Sequence, residues 1–240
     1  MLYKALVLRK TCSPRGLMMA FATPDERIWH RPAEMLQEDP WTNHFTGGQG
    51  MLVQPQAIPD VLLLRPDVHE DERGFLTETY NRRDFAKAGI HVEFVQDNQS
   101  FSRRAGTIRG LHYQAPPMAQ AKLVRVLRGR ILDVAVDIRK GSPTFGHHVA
   151  VELSADNRLQ MFIPEGFAHG FCTLEDDAEV FYKLSAHHAP ECEHGIIFDD
   201  PALAIPWPVK REEAVISARD LSLPRLSELP EHFTFPGRED

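Results

Sequence analysis

Residues 122–139, KLVRVLRGRILDVAVDIR, constrain the fold more than any other part of the chain. Lys122, Val124 and Val126 alternate with Leu123, Arg125 and Leu127, and Leu132, Val134, Val136 and Ile138 alternate with Asp133, Ala135, Asp137 and Arg139. Successive side chains of a strand point to opposite faces, so a strict period of two predicts two strands here. Arg128-Gly129-Arg130 between them reads as a hairpin turn. The alternation also sets Lys122 on the face of Val124 and Val126, a position that faces a barrel interior.

The same signal recurs in shorter pieces. Residues 61–64, 74–80, 91–95 and 107–114 read as strands, and 81–88 (NRRDFAKA) as a short helix stopped by Gly89. Residues 148–153 and 159–163 form a pair around Ala155-Asp156-Asn157, and 171–174 and 179–184 another around Glu175-Asp176-Asp177. Many short strands separated by turn chemistry predict a mainly β protein, an antiparallel sandwich or jelly roll with helices only at its margins, near Arg83 and after Pro224.

Composition limits the partners. The formal net charge is −7, which argues against broad electrostatic binding to nucleic acid or to an anionic membrane, although a local Arg/Lys cluster can still hold a phosphate. No apolar run approaches the roughly 20 residues that span a bilayer. Cys12, Cys172 and Cys192 are scattered and odd in number, neither a disulfide framework nor a zinc motif, which fits a reducing compartment. The N-terminus lacks the continuous apolar region of a secretory signal, so the expected location is the cytoplasm. Residues 1–50 show no sustained period. They read either as a poorly ordered extension or as the product of a start site chosen too early, with a domain spanning 51–240 that opens at Met51.

Three features bear on chemistry. Arg109-Gly110-Leu111-His112-Tyr113-Gln114 sets a histidine after a glycine bend at the opening of a strand. Pro164-Glu165-Gly166-Phe167-Ala168-His169-Gly170-Phe171 resembles the second motif of the cupins. The ligands of a metal cupin are incomplete, however: His112 is followed by Tyr113 and Gln114 rather than by a second histidine, and two histidines without a carboxylate make a poor metal shell. His147-His148 and His187-His188 are adjacent pairs, which a strand would aim at opposite faces. No metal is expected.

DERGF (71–75), FVQDN (94–98), RGLHYQ (109–114), the 122–139 segment, GSPTFG (141–146), PEGFAHGF (164–171) and FDDPALAIPWP (198–208) occur in one order, and together they resemble the dTDP-4-dehydrorhamnose 3,5-epimerase family. The resemblance covers 51 to about 226 and none of the first fifty residues. It implies a dimeric cupin-type jelly roll that needs neither metal nor cofactor, and a nucleotide-sugar substrate whose carbons 3 and 5 are inverted. By the same resemblance His112 is the base, Asp220 its carboxylate partner, Lys122 the cation beside the enolate and Tyr182 the acid on the opposite face. Arg73 and Glu78 would reach the neighbouring subunit's site. Gln96, Asp97, Asn98, Arg109, His169, Glu193 and Arg219 would bind substrate. An imidazole suits proton abstraction because its ordinary pKa lies near working pH, and a phenol is protonated there and able to donate.

The chain departs from the family's pattern at several positions. Leu76 stands where an aromatic is common, Phe198 replaces a tryptophan, and Arg219 replaces a lysine. His187-His188 replace an aromatic pair, and one extra residue lies between Asn98 and His112. These departures touch specificity more than reaction class. Two other readings stay open: a relative that inverts one carbon of another nucleotide-linked 4-ketosugar, and a sugar-binding cupin without activity.

Overall fold

The computed structural model describes residues 51–236, so the two readings of residues 1–50 lie outside the described residues. The strands, in chain order, are β1 (Met51–Pro55), β2 (Leu62–Pro66), β3 (Val68–Asp71), β4 (Gly74–Thr77), β5 (Gln96–Ser102), β6 (Ile108–Gln114), β7 (Lys122–Arg128), β8 (Arg130–Asp137), β9 (His148–Ser154), β10 (Gln160–Ile163), β11 (Phe167–Thr173), β12 (Ala178–Leu184) and β13 (Glu193–Gly195). Helices are marginal: α1 (Arg82–Lys87), α2 (Ala218–Leu221) and two single 3-10 turns. One sheet has the order β1-β2-β10-β7-β12-β5 and the facing sheet β13-β6-β11-β8-β9, with β3-β4 as a separate hairpin. Every strand pairing within these sheets is antiparallel, as a jelly roll requires.

The expected strand pairs need correction. β7 and β8 do not form a hairpin: they lie in different sheets, and Gly129, at φ +74, turns a corner between them. β9 and β10 are likewise split between sheets, as are β11 and β12. Period-two alternation specifies faces, not partners. The neighbour of β8 in sequence and in space is β9, joined through 141–146. There Asp137 Oδ2 accepts hydrogen bonds from Ser142 Oγ at 2.6 Å and Thr144 Oγ1 at 2.7 Å. The Arg139 guanidinium, paired with Asp137, stacks between Phe167 and Phe235.

Residues 91–95 are not a strand; the ladder starts at Gln96. Val92 and Phe94 produced the alternation, but they pack with Tyr80 and Phe85 against the outer face of the first sheet. The strand expected at 74–80 ends at Thr77. β1, β3, β5 and β13 carried no clear signal. The helix expected after Pro224 is one 3-10 turn, Leu226–Glu228, and α2 lies just before it. The helix at 81–88 is present as α1, with Asn81 Oδ1 capping Arg83 N–H.

Three apolar layers explain why these strands are rich in Val, Ile and Leu on both faces. Val124, Val126, Met161 and Val180 of the first sheet meet Ile131, Ala135, Phe167 and Phe171 of the second. Behind the first sheet, Leu64, Leu123 and Phe162 pack on Phe85 and Ile90. Behind the second, Leu111, Val134, Val136 and Ala168 are covered by Trp207, Leu226, Leu229 and Phe233 of the C-terminal segment. The most apolar face of β8 thus points outward, which leaves Asp133 on the inner face. Among the described residues no helix is long and apolar enough to cross a membrane. Cys172 and Cys192 are buried free thiols.

Candidate active site

A cavity of about 550 Å³ opens between the sheets. The first sheet supplies Lys122 and Tyr182 to it, and the second supplies Arg109, His112 and His169. Residues 215–220, which carry α2, close one side. Register explains the placement. Tyr182 lies opposite Val124, and Leu184 opposite Lys122, so Tyr182 and Lys122 share the inner face of Val124. His112 lies opposite His169.

A bulge aims two β6 side chains at the same cavity. His169 pairs with His112 and Phe171 with Arg109, so β6 spends three residues where β11 spends two. Arg109 and His112 therefore both face inward despite their odd spacing. The bulge needs Gly110. Its φ is +114, and a Cβ there would lie 2.6 Å from His169 O and from Gly170 Cα.

His112 Nε2 lies 2.8 Å from Asp220 Oδ1. The carboxylate can only accept, so Nε2 carries the proton and the neutral ring keeps its lone pair on Nδ1. Asp220 is fixed by two further contacts: Oδ2 accepts from Gly110 N–H at 3.3 Å, and its own N–H donates to Ser217 Oγ at 3.0 Å. The segment that carries it is held to the second sheet where Val215 is bridged to Thr107. Burial acts to raise the Asp220 carboxyl, but the His112, Gly110 and Ser217 hydrogen bonds outweigh it and hold it below the usual range. Asp220 is an ionised orienter for a partly buried imidazole.

Lys122 is 8% exposed, and its Nζ donates to His112 O at 3.1 Å. Burial lowers its pKa to about 8, against the opposing attraction of Asp133 and Glu193. His169 forms a second pair, Nε2 to Asp133 Oδ1 at 2.7 Å; burial lowers the imidazole's pKa and Asp133 opposes the shift. Arg109 donates to Ser102 Oγ and Phe101 O. Arg219 lines the cavity and pairs with Glu193 at 2.9 Å.

Of the sequence-expected residues, His112, Lys122, Tyr182, Asp220, Arg109, His169 and Arg219 converge on this cavity, and Glu193 backs it through Arg219. Gln96 and Asn98 lie on the inner face of β5, opposite Leu184 and Tyr182. Asp97 turns the other way and pairs with Lys183 at 2.9 Å. Arg73 and Glu78 are exposed and do not line the cavity; Arg73 pairs with Asp71 in the β3–β4 hairpin. Sequence reasoning missed Asp133, Ser217 and Ser100. Asp133 had a signal, a charge in the middle of a strand apolar on both flanks; the other two had none. Among the described residues no group of three or more His, Cys, Asp or Glu side chains converges as metal ligands.

Comparison with known proteins gives one consistent result. The family model described as dTDP-4-dehydrorhamnose 3,5-epimerase matches residues 55–228. The chain is 52% identical over 173 residues to the enzyme of that name from Shigella flexneri, covering 72% of this chain and 94% of the relative. A crystal structure of dTDP-6-deoxy-D-glucose-3,5-epimerase from Legionella pneumophila, in complex with dTDP-4-keto-L-rhamnose, superposes with a TM-score of 0.74 at 41% identity, over 78% of this chain and 99% of that one. A 3'-monoepimerase from Streptomyces bikiniensis, in complex with dTDP-quinovose, gives 0.68 at 36% identity, over 72% and 87%. With a family model over most of its length and relatives at about half identity, this chain belongs to the dTDP-4-dehydrorhamnose 3,5-epimerase family.

Proposed function

We propose that this protein inverts carbons 3 and 5 of dTDP-4-dehydro-6-deoxy-D-glucose to give dTDP-4-dehydro-L-rhamnose, a step of dTDP-L-rhamnose synthesis. The observation that carries this reading is one cavity with a carboxylate-oriented imidazole on one sheet and a phenol on the facing sheet. Inversion at carbon needs a base and an acid on opposite faces.

The keto group at carbon 4 acidifies the hydrogens on carbons 3 and 5. His112 Nδ1 takes one of these protons. The C–H electron pair forms a carbon–carbon double bond to carbon 4, and the carbonyl π pair moves to the oxygen. The Lys122 ammonium stabilises that enolate oxygen in a site where it is poorly hydrated. Asp220 stabilises the imidazolium. Tyr182 then delivers its hydroxyl proton to the opposite face of the same carbon as the enolate collapses. The imidazolium and phenolate exchange protons with solvent, and the sequence repeats at the second carbon.

Tyr182→Phe separates the two halves of this scheme. It is expected to retain solvent exchange at carbon 3 or carbon 5 while slowing inversion about 100-fold or more, because returning the proton from the His112 side restores the starting sugar. Inversion at the wild-type rate in this variant would remove Tyr182 from its role. A single-position epimerase is the second reading, favoured by the similarity to the Streptomyces bikiniensis 3'-monoepimerase.

The proposal extends to assembly. Arg73 and Glu78 sit with Phe75 and Leu76, which are 56% and 73% exposed, on and beside a hairpin that does not line this chain's own cavity. We assign them to the site of a second copy in a homodimer, with residues 51–240 as the catalytic domain. The cytoplasm is the setting, because an anionic nucleotide sugar does not cross a bilayer unaided. A chain beginning at Met51 is expected to be a soluble dimer with full activity. A monomer in light scattering, or an inactive protein, would remove this part.

A further inference from the structure

One side-chain cluster at the exposed rim of the cavity has no part in the proton transfers. Glu193 Oε2 accepts from Arg219 Nη2 at 2.9 Å and, on the same oxygen, contacts His188 Nε2 at 3.2 Å. His188 cannot drift from this contact easily. Its N–H donates to Gln96 Oε1 at 2.9 Å, and Gln96 is tied in turn to Asn98. The buried Gln114 holds the residues on either side, donating to His187 O and accepting from Ala189 N–H. Three amide hydrogen bonds therefore fix the backbone around a histidine whose side chain is half exposed.

The charges around it are few. Glu193 faces His188 and Arg219 directly and feels His112. Lys122 feels Glu193, and Arg219 feels Asp220. His187 precedes His188 in the loop, and Glu191 lies three residues on, exposed. With His188 neutral, the Glu193–Arg219 pair sums to zero. A proton on His188 makes the cluster net positive. It also sets two cations in competition for one carboxylate oxygen, and the guanidinium, with five N–H donors, has others to offer an anion.

We propose that His188 is a positioning residue that controls, through Glu193, how much of the Arg219 charge reaches an anionic ligand in the cavity, so that a nucleotide diphosphate binds more tightly at low pH. This rests on the sugar-nucleotide reading above. His188 touches no reacting atom in it, and kcat is expected to stay within about twofold of wild type in His188→Asn while KM moves.

The test is calorimetric titration of the full chain with dTDP-glucose at pH 6 and pH 8. This probe lacks the 4-keto group, and its diphosphate diester stays at a charge of −2 across that range. Wild type is expected to bind about fivefold more tightly at pH 6. At pH 6, His188→Asn should bind about fivefold more weakly than wild type does at the same pH. His188→Lys, charged at both, should keep the tight affinity at pH 8. The other titrating groups are common to all three proteins, so the differences read His188. A His188→Asn protein with the wild-type pH dependence, or a His188→Lys protein no tighter at pH 8, would overturn the proposal. Wild type that turns over the ketosugar but binds dTDP-glucose equally at both pH values would overturn it alone. Wild type that binds no dTDP-glucose at either pH would overturn the sugar-nucleotide reading with it.

Discussion

Asp220→Asn is expected to lower turnover by about 10³-fold, nearly as far as His112→Ala, while the protein stays folded. The carboxylate accepts two N–H groups at once, from Gly110 and His112. An asparagine has one acceptor oxygen. If that oxygen stays with Gly110, the amide NH₂ meets His112 Nε2 and can only donate to it. The ring proton then moves to Nδ1, the nitrogen that must be free to take a proton from the sugar. The variant therefore keeps the histidine but in the wrong tautomer, whereas His112→Ala removes the base itself. Neither change opens a large cavity, since the His112 side chain is 28% exposed. Asp220, held below its ordinary range in the fold, contributes some stability above the unfolded carboxylate pKa, lost as pH falls through the folded value. Asp220→Asn should thus melt slightly earlier at neutral pH. Steady-state kinetics beside a thermal melt check both points, and near-wild-type turnover in either variant would discard this base assignment.

Lys122→Met should reduce kcat by about 10²- to 10³-fold, the usual loss when a preplaced charge at a developing oxyanion is removed. The same lysine gives a pH signature. Its ammonium has a pKa near 8 because burial penalises the charge. Turnover should fall as pH rises through about 8, as the enolate loses its counter-charge. Stability should move the other way. Between about pH 8 and the ordinary lysine value near 10.5 the unfolded chain binds more protons than the folded one, so this group makes stability rise with pH in that window. Below it, holding the charge inside the protein costs on the order of 3 kcal/mol. Lys122→Met removes that cost but leaves His112 O without its donor, so it should be about as stable as wild type and nearly inactive. A variant as active as wild type, or wild-type turnover that climbs through pH 8, would contradict the stabilising role.

The strands were legible because each is a short alternating run, and Lys122 could be set inside from the valines that share its face. What alternation could not supply was partners. Gly129 turns a corner between sheets with the same residues that would turn a hairpin. Nor could it say which face of β8 is interior. The less apolar face is, and that is why Asp133 meets His169. Val92 and Phe94 alternate without a ladder because they cover a sheet rather than join one.

The site was legible unevenly. His112 and His169 stand in recognisable local motifs, but Asp220 sits in a four-residue helix with no periodic pattern, positioned by Ser217 and by the bridge of Val215 to Thr107. Only the family resemblance pointed to it. The Gly110 bulge, which turns Arg109 and His112 to one side, depends on contacts with Gly170 sixty residues on. In the sequence His188 is only a departure from the family's pattern; its contact with Glu193 emerges from the fold.

The most direct test of the central claim is proton NMR of dTDP-4-dehydro-6-deoxy-D-glucose incubated with the enzyme in heavy water. The account predicts solvent deuterium at both carbon 3 and carbon 5, with formation of the L-lyxo sugar, and none of this with His112→Ala. Exchange at one carbon alone would contradict the double inversion, and no exchange by a folded protein would contradict the assignment of this substrate.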